Sequence, residues 1–196
     1  MSKKKHDYRF KVTIIGSLAA GKTTLTNVIA GKEFSHNYIA TIGVEYVSTE
    51  RTIFGKKICL DLWDVAGSER FHSITKACAR GSRGIIIVYD LNDNTSLKNS
   101  IDQYDKIYND HEGAQVILVG TKNDLETKVS ETELNEVCDD LKIPSFKTSA
   151  KTKENLEAIF QFLVSQMMDN HNKLVPIENT VVLEPEHKKK DSCCSS

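Results

Sequence analysis

The sequence predicts an α/β domain whose sheet is six-stranded, mainly parallel and covered by helices on both faces. Between residues 9 and 170, apolar strand-like runs alternate with amphipathic helix-like stretches, a pattern typical of parallel α/β domains. Two of the runs, at 84–89 and 116–119, are continuously apolar, as expected of strands buried on both faces. The third observation is an edge hairpin, described next.

The first predicted elements are a strand at 10–15 and, after a glycine-bounded turn, a helix at about 22–30. Two longer strands follow at about 43–53 and 57–63. Only Phe54-Gly55-Lys56 separates them, which predicts an antiparallel hairpin.

Two further helices have clear signals. Ser130 and Glu133 form a predicted capping box at the start of one of them. The other has an apolar face at helical spacing, made by Leu156, Ile159, Phe160, Leu163 and Met167.

Length and composition bound the possibilities. The chain of 196 residues suits one domain, divided here into a flexible basic arm (1–8), the domain (9–170) and a disordered tail (171–196). Net charge is −1, which argues against a nucleic-acid-binding polycation. The five scattered cysteines argue against a disulfide framework. Because no apolar run approaches 18 residues, we expect synthesis in the cytosol and no membrane span.

Residues 16–23, GSLAAGKT, fit the phosphate-binding pattern G-x-x-x-x-G-K-[ST]. Its backbone N–H groups would cradle phosphate, Lys22 would reach the β- and γ-phosphates, and the Thr23 hydroxyl would bind Mg²⁺. The alternative is a simple strand–helix turn. The predicted phosphate-binding residues are Ser17, Leu18, Ala19, Ala20, Gly21, Lys22, Thr23 and Thr24.

A second element, Asp64-Val65-Ala66-Gly67, follows a predicted strand. Ligands of open α/β sheets bind at the carboxyl ends of strands. Asp64 could therefore serve Mg²⁺, and the Gly67 N–H could contact a γ-phosphate. Alone, this pattern is usually just a turn.

Thr121-Lys122-Asn123-Asp124 and Ser149-Ala150-Lys151 indicate which base is bound. The Asp124 carboxylate can accept hydrogen bonds from N1–H and N2–H₂ of guanine, whereas adenine would leave it unpaired. Each motif alone is weak, and their order after a phosphate loop makes them informative.

Together these motifs resemble the Ras superfamily of small GTPases, and within it the Rab family, over about residues 8–170. Rab-like stretches lie at 41–46, 63–71, 70–75 and 88–90. The resemblance implies GTP/GDP and Mg²⁺ as cofactors, Thr41 as a metal ligand beside Thr23 and Asp64, and Tyr38 as a cover over the phosphates. It also implies packing of Phe34 against guanine, with an ordinary core aromatic as the alternative.

The chain ends in Cys193-Cys194-Ser195-Ser196, which resembles a Rab double-cysteine prenylation signal; two unmodified thiols are the alternative. The resemblance then implies attachment to the cytoplasmic face of an intracellular membrane, with a cytosolic pool. Implied partners are an exchange factor, a GTPase-activating protein, a GDP-dissociation inhibitor, the prenylation machinery and effectors. Neither nucleic acid nor a stable oligomer is expected.

Several positions depart from the family pattern. Ser68 stands where Rab proteins usually carry the Gln that orients the attacking water, and Leu18 and Ala19 replace smaller residues or glycine. We therefore expect slow hydrolysis, with Lys22 and Ser68 as the candidate catalytic residues. The alternatives are a GTP-binding module that does not hydrolyse and, more remotely, a metabolic kinase.

Two other departures concern exchange and partners. Thr121 replaces the usual Asn, which predicts weaker binding and faster nucleotide exchange. Cys78-Ala79 replaces two tyrosines, one from an effector-binding aromatic cluster that would include Tyr46 and Trp63. These two could instead be core residues.

Overall fold

The computed structural model describes residues 6–36, 40–68 and 72–174, apart from the side chains of His72 and Leu174. Five helices and six strands, together with a short 3₁₀ turn at Tyr108–Asp110, make up this part of the chain. In order, the elements are β1 (Tyr8–Gly16), α1 (Lys22–Ile29), β2 (Val44–Ile53), β3 (Lys56–Val65), α2 (His72–Ala79), β4 (Gly84–Asp90), α3 (Ser96–Asp105), β5 (Gln115–Thr121), α4 (Glu131–Leu141), β6 (Ser145–Lys147) and α5 (Leu156–Leu174).

The strands form one sheet in the order β2-β3-β1-β4-β5-β6. Only β2 and β3 pair antiparallel, and every other pairing is parallel. Helices α1 and α5 contribute to the apolar core on one face, and α2, α3 and α4 to the core on the other. The predicted α/β fold with a six-stranded, mainly parallel sheet is confirmed.

Strand β4 shows why its sequence is continuously apolar. Ile86 and Val88 belong to one core, while Ile85 and Ile87 belong to the other. Successive side chains of a strand point to opposite faces of the sheet. Because both faces of β4 are covered by an apolar core, the run at 84–89 is apolar throughout and no polar positions alternate within it.

The predicted hairpin joins β2 and β3, and its loop has two residues rather than three. Ile53 pairs with Lys56, while Phe54 and Gly55 have φ angles of 51° and 72°. Positive φ at both central residues is the requirement of a tight type I′ turn. Phe54, which is exposed, adopts this left-handed conformation although it has a side chain that disfavours positive φ.

Helix α4 begins where the sequence predicts, but the capping hydrogen bond that it predicts for the first turn is not formed. Ser130 is the N-cap residue, but its side chain makes no cap hydrogen bond. The first turn carries Glu131 and Glu133, whose negative charges interact favourably with the helix dipole. Glu131 also pairs with Lys147 of β6.

The two ends of the domain pack against each other. The Tyr8 hydroxyl donates to Asn172 Oδ1 over 3.3 Å, and the Tyr8 ring lies edge-on to His171 with centroids 5.6 Å apart. Residues 171–174, which the sequence analysis assigned to the tail, continue α5. No helix within the described residues is long and apolar enough to cross a membrane.

The cysteines at 59, 78 and 138 are free thiols. Tyr46 is not a core residue, because half of its surface is exposed while its ring packs on Trp63 with centroids 5.3 Å apart. Trp63 is partly buried against the core and has Lys11 Nζ 5.0 Å from its ring centroid. Cys78 is buried in the same apolar core against which Trp63 packs.

Candidate nucleotide-binding site

A cavity of about 1000 Å³ lies at the carboxyl ends of the parallel strands, bounded by the loop after β1, the segment before β2 and the loops after β3 and β5. Most of the predicted site residues line it: Leu18, Ala19, Gly21, Lys22, Thr23, Thr24, Phe34, Thr41, Gly67, Thr121, Lys122, Asp124, Ala150 and Lys151. Tyr38, Cys193 and Cys194 lie outside the described residues.

The loop after β1 is held tightly against its neighbours. A Cβ at Gly16 would lie 1.9 Å from the Val88 carbonyl oxygen, so this position admits only glycine. The Ser17 N–H donates to Ser100 Oγ over 2.9 Å, and the Ser17 and Ser96 hydroxyls are 2.5 Å apart. The side chain of Ser17 therefore faces α3 and not the cavity. Ala20 is likewise fully buried.

Lys22 and Gly67 meet at the centre of the cavity. The Lys22 ammonium donates to the carbonyl oxygens of Gly16 and Ser17 over 2.9 and 2.7 Å. Burial lowers its pKa to about 8, with Asp64 acting in the opposite direction. A Cβ on Gly67 would lie 2.6 Å from Lys22 Nζ and 2.7 Å from the Leu18 nitrogen. The Lys22 ammonium, the Leu18 N–H and Gly67 thus surround one small volume. This is the arrangement that binds an anionic group.

Three oxygen-bearing side chains meet beside Lys22. Thr23 Oγ1 lies 2.6 Å from Thr41 Oγ1 and donates to Asp64 Oδ2 over 2.5 Å. Asp64 is fully buried, and its second oxygen, Oδ1, has no hydrogen-bond partner. Burial raises its pKa to about 6, against the effects of Thr23 and Lys22.

These residues fit Mg²⁺, because hard oxygen donors around one or two carboxylates are what this ion prefers. A buried carboxylate oxygen left unpaired is costly, and a cation would satisfy it. The described residues contain no group of three His, Cys, Asp or Glu side chains able to hold a metal. The hydroxyls of Thr23 and Thr41 are therefore essential to the fit.

At the other end of the cavity, Asp124 is fixed by its neighbours. The buried Ser149 hydroxyl donates to Asp124 Oδ1 over 2.6 Å, and Lys151 Nζ lies 3.7 Å from Oδ2. The Ser149 hydrogen bond is the main reason that the pKa of Asp124 lies below its usual range. Ser149 itself stands behind the carboxylate, so it orients Asp124 without lining the cavity.

Thr121 and Lys122 connect this end of the cavity to the phosphate loop. The Thr121 hydroxyl lies 2.6 Å from the Ala20 carbonyl oxygen, and Lys122 Nζ lies 3.1 Å from that of Ala19. Lys122 also pairs with Asp90 over 2.5 Å. Asp90 holds this lysine and also caps the loop by accepting a hydrogen bond from the N–H of Asn92.

Phe34 has the contacts of a core aromatic, which is its alternative role, and its packing against guanine stays a prediction. It lines the cavity and also packs against the core beside α1, with the His36 ring edge-on at 4.9 Å. Ser68 follows Gly67 directly but does not line the cavity. Leu18 does, with 64% of its surface exposed.

Sequence reasoning missed several residues around the site. They include Ser96, Ser100 and Gln103 of α3, which contact the phosphate loop or Gly67, and His36. The available signal was the spacing of Ser96 and Ser100, four residues apart on the inner face of an amphipathic helix, where buried hydroxyls need partners.

Comparison with known proteins agrees with this geometry. A family model described as the Ras family matches residues 11–169. The Ras-related protein SEC4 of Saccharomyces cerevisiae is 39% identical over 181 residues, which cover 90% of this chain and 84% of that protein. Ras-family proteins are GTPases that bind GTP, GDP and Mg²⁺. The chain belongs to the Ras superfamily of small GTPases and, as its motifs indicated, to the Rab family.

Proposed function

We propose that this protein is a membrane-anchored, GTP/GDP-dependent switch in vesicle traffic whose own GTP hydrolysis is slow. The observation that carries the nucleotide part is that one cavity joins an anion site at Lys22 and Gly67, a cation site at Thr23 and Thr41, and a carboxylate at Asp124. The buried Asp64 stands directly behind Thr23 at the cation site. A guanine nucleotide with its Mg²⁺ has groups that match all three sites: the phosphates match the anion site, Mg²⁺ the cation site, and the guanine base the Asp124 carboxylate.

The Asp124 carboxylate accounts for base selection. Ser149 and Lys151 keep it ionised and oriented, so it presents two acceptors to the N1–H and N2–H₂ donors of guanine. Adenine lacks this donor pair, and its binding would leave the lone pairs of the carboxylate that face the base without a donor.

The switch depends on segments that flank the γ-phosphate position. Thr41 and Gly67 lie on two such segments, which are joined by the hydrogen bond from the Ala66 N–H to the Gly43 carbonyl oxygen over 2.9 Å. A γ-phosphate would hold both segments and its loss would release them. Bound Mg²⁺ would neutralise charge on the phosphate oxygens.

Slow hydrolysis follows from two side chains. Lys22 and the loop N–H groups can stabilise negative charge, but a serine at 68 has a much shorter reach toward an attacking water than glutamine. Leu18, mostly exposed at the cavity wall, would crowd the γ-phosphate region or an incoming arginine. Both features weaken water positioning and activation rather than nucleotide binding.

A single-turnover assay tests this proposal. In protein loaded with GTP, the reaction is started with Mg²⁺, and GDP formation is timed for the native chain, for Ser68→Gln and for the matched control Ser145→Gln, at the exposed first residue of β6. We expect acceleration by Ser68→Gln only. Native hydrolysis at an ordinary Rab rate, or no acceleration by Ser68→Gln, would contradict slow hydrolysis caused by Ser68.

A second candidate is a GTP-binding module that stays loaded, favoured by the same exposed Leu18 and by Ser68. The same assay separates the two. Absence of GDP formation in the native chain, with GTP still bound, would favour the static module.

Anchoring is proposed at Cys193 and Cys194, because two lipid chains hold a protein stably on a membrane whereas one does so marginally. Mass spectrometry of the C-terminal peptide from cells should show two prenyl groups. Replacing both cysteines by serine should move the protein to the soluble fraction. An unmodified peptide from membrane-bound protein would contradict this mode of attachment.

The cellular role and partners rest on the Rab relationship. We propose an exchange factor, a GTPase-activating protein, a GDP-dissociation inhibitor and effectors as partners, on the cytoplasmic face of an intracellular membrane. Depletion of the protein should delay delivery of a vesicle-borne cargo, and unchanged delivery would argue against a transport role.

A further inference from the structure

Gln103 of α3 makes a contact with the nucleotide cavity that no sequence motif indicates. Its Nε2 donates to the Gly67 carbonyl oxygen over 2.8 Å, and the side chain is partly buried. The contact joins residues 36 positions apart, so it is formed by the fold and not by local chain geometry.

The Gly67 carbonyl belongs to the peptide that links Gly67 to Ser68. That peptide is planar and trans, so its C=O and the Ser68 N–H point in opposite directions. With the carbonyl directed at Gln103, the Ser68 N–H is directed away from that side chain. Gln103 therefore fixes the orientation of the Gly67–Ser68 peptide plane, and with it the direction in which the chain enters Ser68.

Gly67 is also confined on its other sides. The preceding residue, Ala66, donates its N–H to Gly43. Toward the phosphate loop there is no room for even a Cβ, which would lie 2.6 Å from Lys22 Nζ and 2.7 Å from the Leu18 nitrogen. Gln103 adds a further constraint, a hydrogen-bond donor from α3.

We propose that Gln103 is a positioning residue that holds the Gly67 backbone from its carbonyl end, so that the Gly67 N–H faces the γ-phosphate position. This inference rests on the proposed switch function and extends it by making α3 a support of the segment after β3. Since GDP has no γ-phosphate, the contribution of Gln103 is specific to the GTP-bound form.

The test uses the full chain and compares two ligands. Gln103→Met keeps the side-chain length but removes the donor, and Gln103→Lys restores a donor of similar reach. Gln161→Met is the matched control, because Gln161 lies at an exposed position of α5 and donates a hydrogen bond to Glu157 of its own helix. Dissociation rates are measured for GDP and for a non-hydrolysable GTP analogue, with thermal unfolding of each variant.

We expect Gln103→Met to dissociate the GTP analogue about five- to tenfold faster, the effect of losing one hydrogen bond, with GDP dissociation changed less than about twofold. Gln103→Lys should recover most of the loss, and Gln161→Met should behave as the native chain. Equal acceleration for both ligands would reduce Gln103 to a packing role and overturn the inference.

The two proposals fail in distinguishable ways. If the native protein binds both ligands and Gln103→Met leaves both rates unchanged, the inference about Gln103 is overturned and the proposed switch is untouched. If the native protein binds neither ligand, the proposed function itself is overturned, and the inference falls with it.

Discussion

The Thr121 hydroxyl lies 2.6 Å from the Ala20 carbonyl oxygen, so the end of β5, where we propose that guanine is recognised, is tied to the phosphate loop. The same hydroxyl is 3.1 Å from the Tyr89 carbonyl oxygen. A threonine has one proton to donate and can serve only one of these acceptors well at a time. An asparagine amide has two donors and could serve two acceptors, which is a physical reason for the faster exchange predicted here.

Thr121→Asn should therefore slow GDP dissociation, and the nearly isosteric Thr121→Val should accelerate it about fivefold or more, since a buried carbonyl loses its donor. Stopped-flow measurement with a fluorescent GDP checks both. Equal rates for the native chain and Thr121→Asn would contradict the first expectation, and an unchanged Thr121→Val would contradict the second.

Ser100→Ala should lower the free energy of unfolding by about 1–3 kcal/mol, because the buried Ser17 N–H would lose its acceptor. The Ser100 side chain is fully buried and also bonds the Val88 carbonyl oxygen over 2.8 Å. Urea unfolding measures the change. Ser165→Ala, which removes a hydroxyl bonded locally to Phe162, is the control and should cost clearly less. Similar losses in the two variants would argue against a special role for Ser100.

Gly67→Ala should separate the responses to the two nucleotides. The new Cβ would collide with Lys22 Nζ and the Leu18 nitrogen, so Gly67 would have to retreat from the phosphate loop. We expect GDP binding within about threefold of native and loss of the protection from proteolysis that GTP confers on the native chain. Gly113→Ala is the control: it lies at a positive φ, unlike Gly67, but has open space for the Cβ, so it adds backbone strain without a collision and should keep the protection by GTP. Full protection of Gly67→Ala by GTP would contradict the assignment.

The stability contributed by Asp61 should depend on pH. Burial opposes its ionisation, but hydrogen bonds from Arg9, Tyr46 and Ser48 outweigh this and set the pKa of the carboxyl below its ordinary value. Because the folded pKa is lower than the unfolded one, the contribution is fully present above the unfolded pKa of about 3.9 and is lost as the pH falls through the folded pKa.

Unfolding of the native chain and of Asp61→Asn, measured from pH 7 to pH 3, gives the difference directly. The native chain should be more stable by a constant amount above about pH 5, and the difference should narrow below about pH 4. A difference that grows on acidification would mean that the sign of the Asp61 contribution is opposite.

The fold and most of the cavity lining could be predicted from sequence because their signals are local. The glycines and lysine of the phosphate loop, the carboxylate of Asp64 at the end of β3 and Asp124 after β5 are each placed by a strand end, and parallel strands bring their ends to one edge. A continuously apolar strand such as β4 likewise indicates burial on both faces.

The remaining features depend on partners that sequence spacing does not reveal. Asp90 and Lys122 are 32 residues apart, and Gln103 and Gly67 are 36 apart; neither pair has a local pattern. The cap at Ser130 failed for the opposite reason, since a local pattern predicted a hydrogen bond that the helix does not make.

Identification of the nucleotide that co-purifies with the protein tests the central claim most directly. The full chain is purified in Mg²⁺, denatured, and its released nucleotide separated by chromatography; Asp124→Asn serves as the comparison because it removes the guanine-accepting carboxylate. The account predicts GDP or GTP at about one per native chain and a large loss of guanine nucleotide from Asp124→Asn. Recovery of adenine nucleotide, or of equal guanine nucleotide from both proteins, would contradict it.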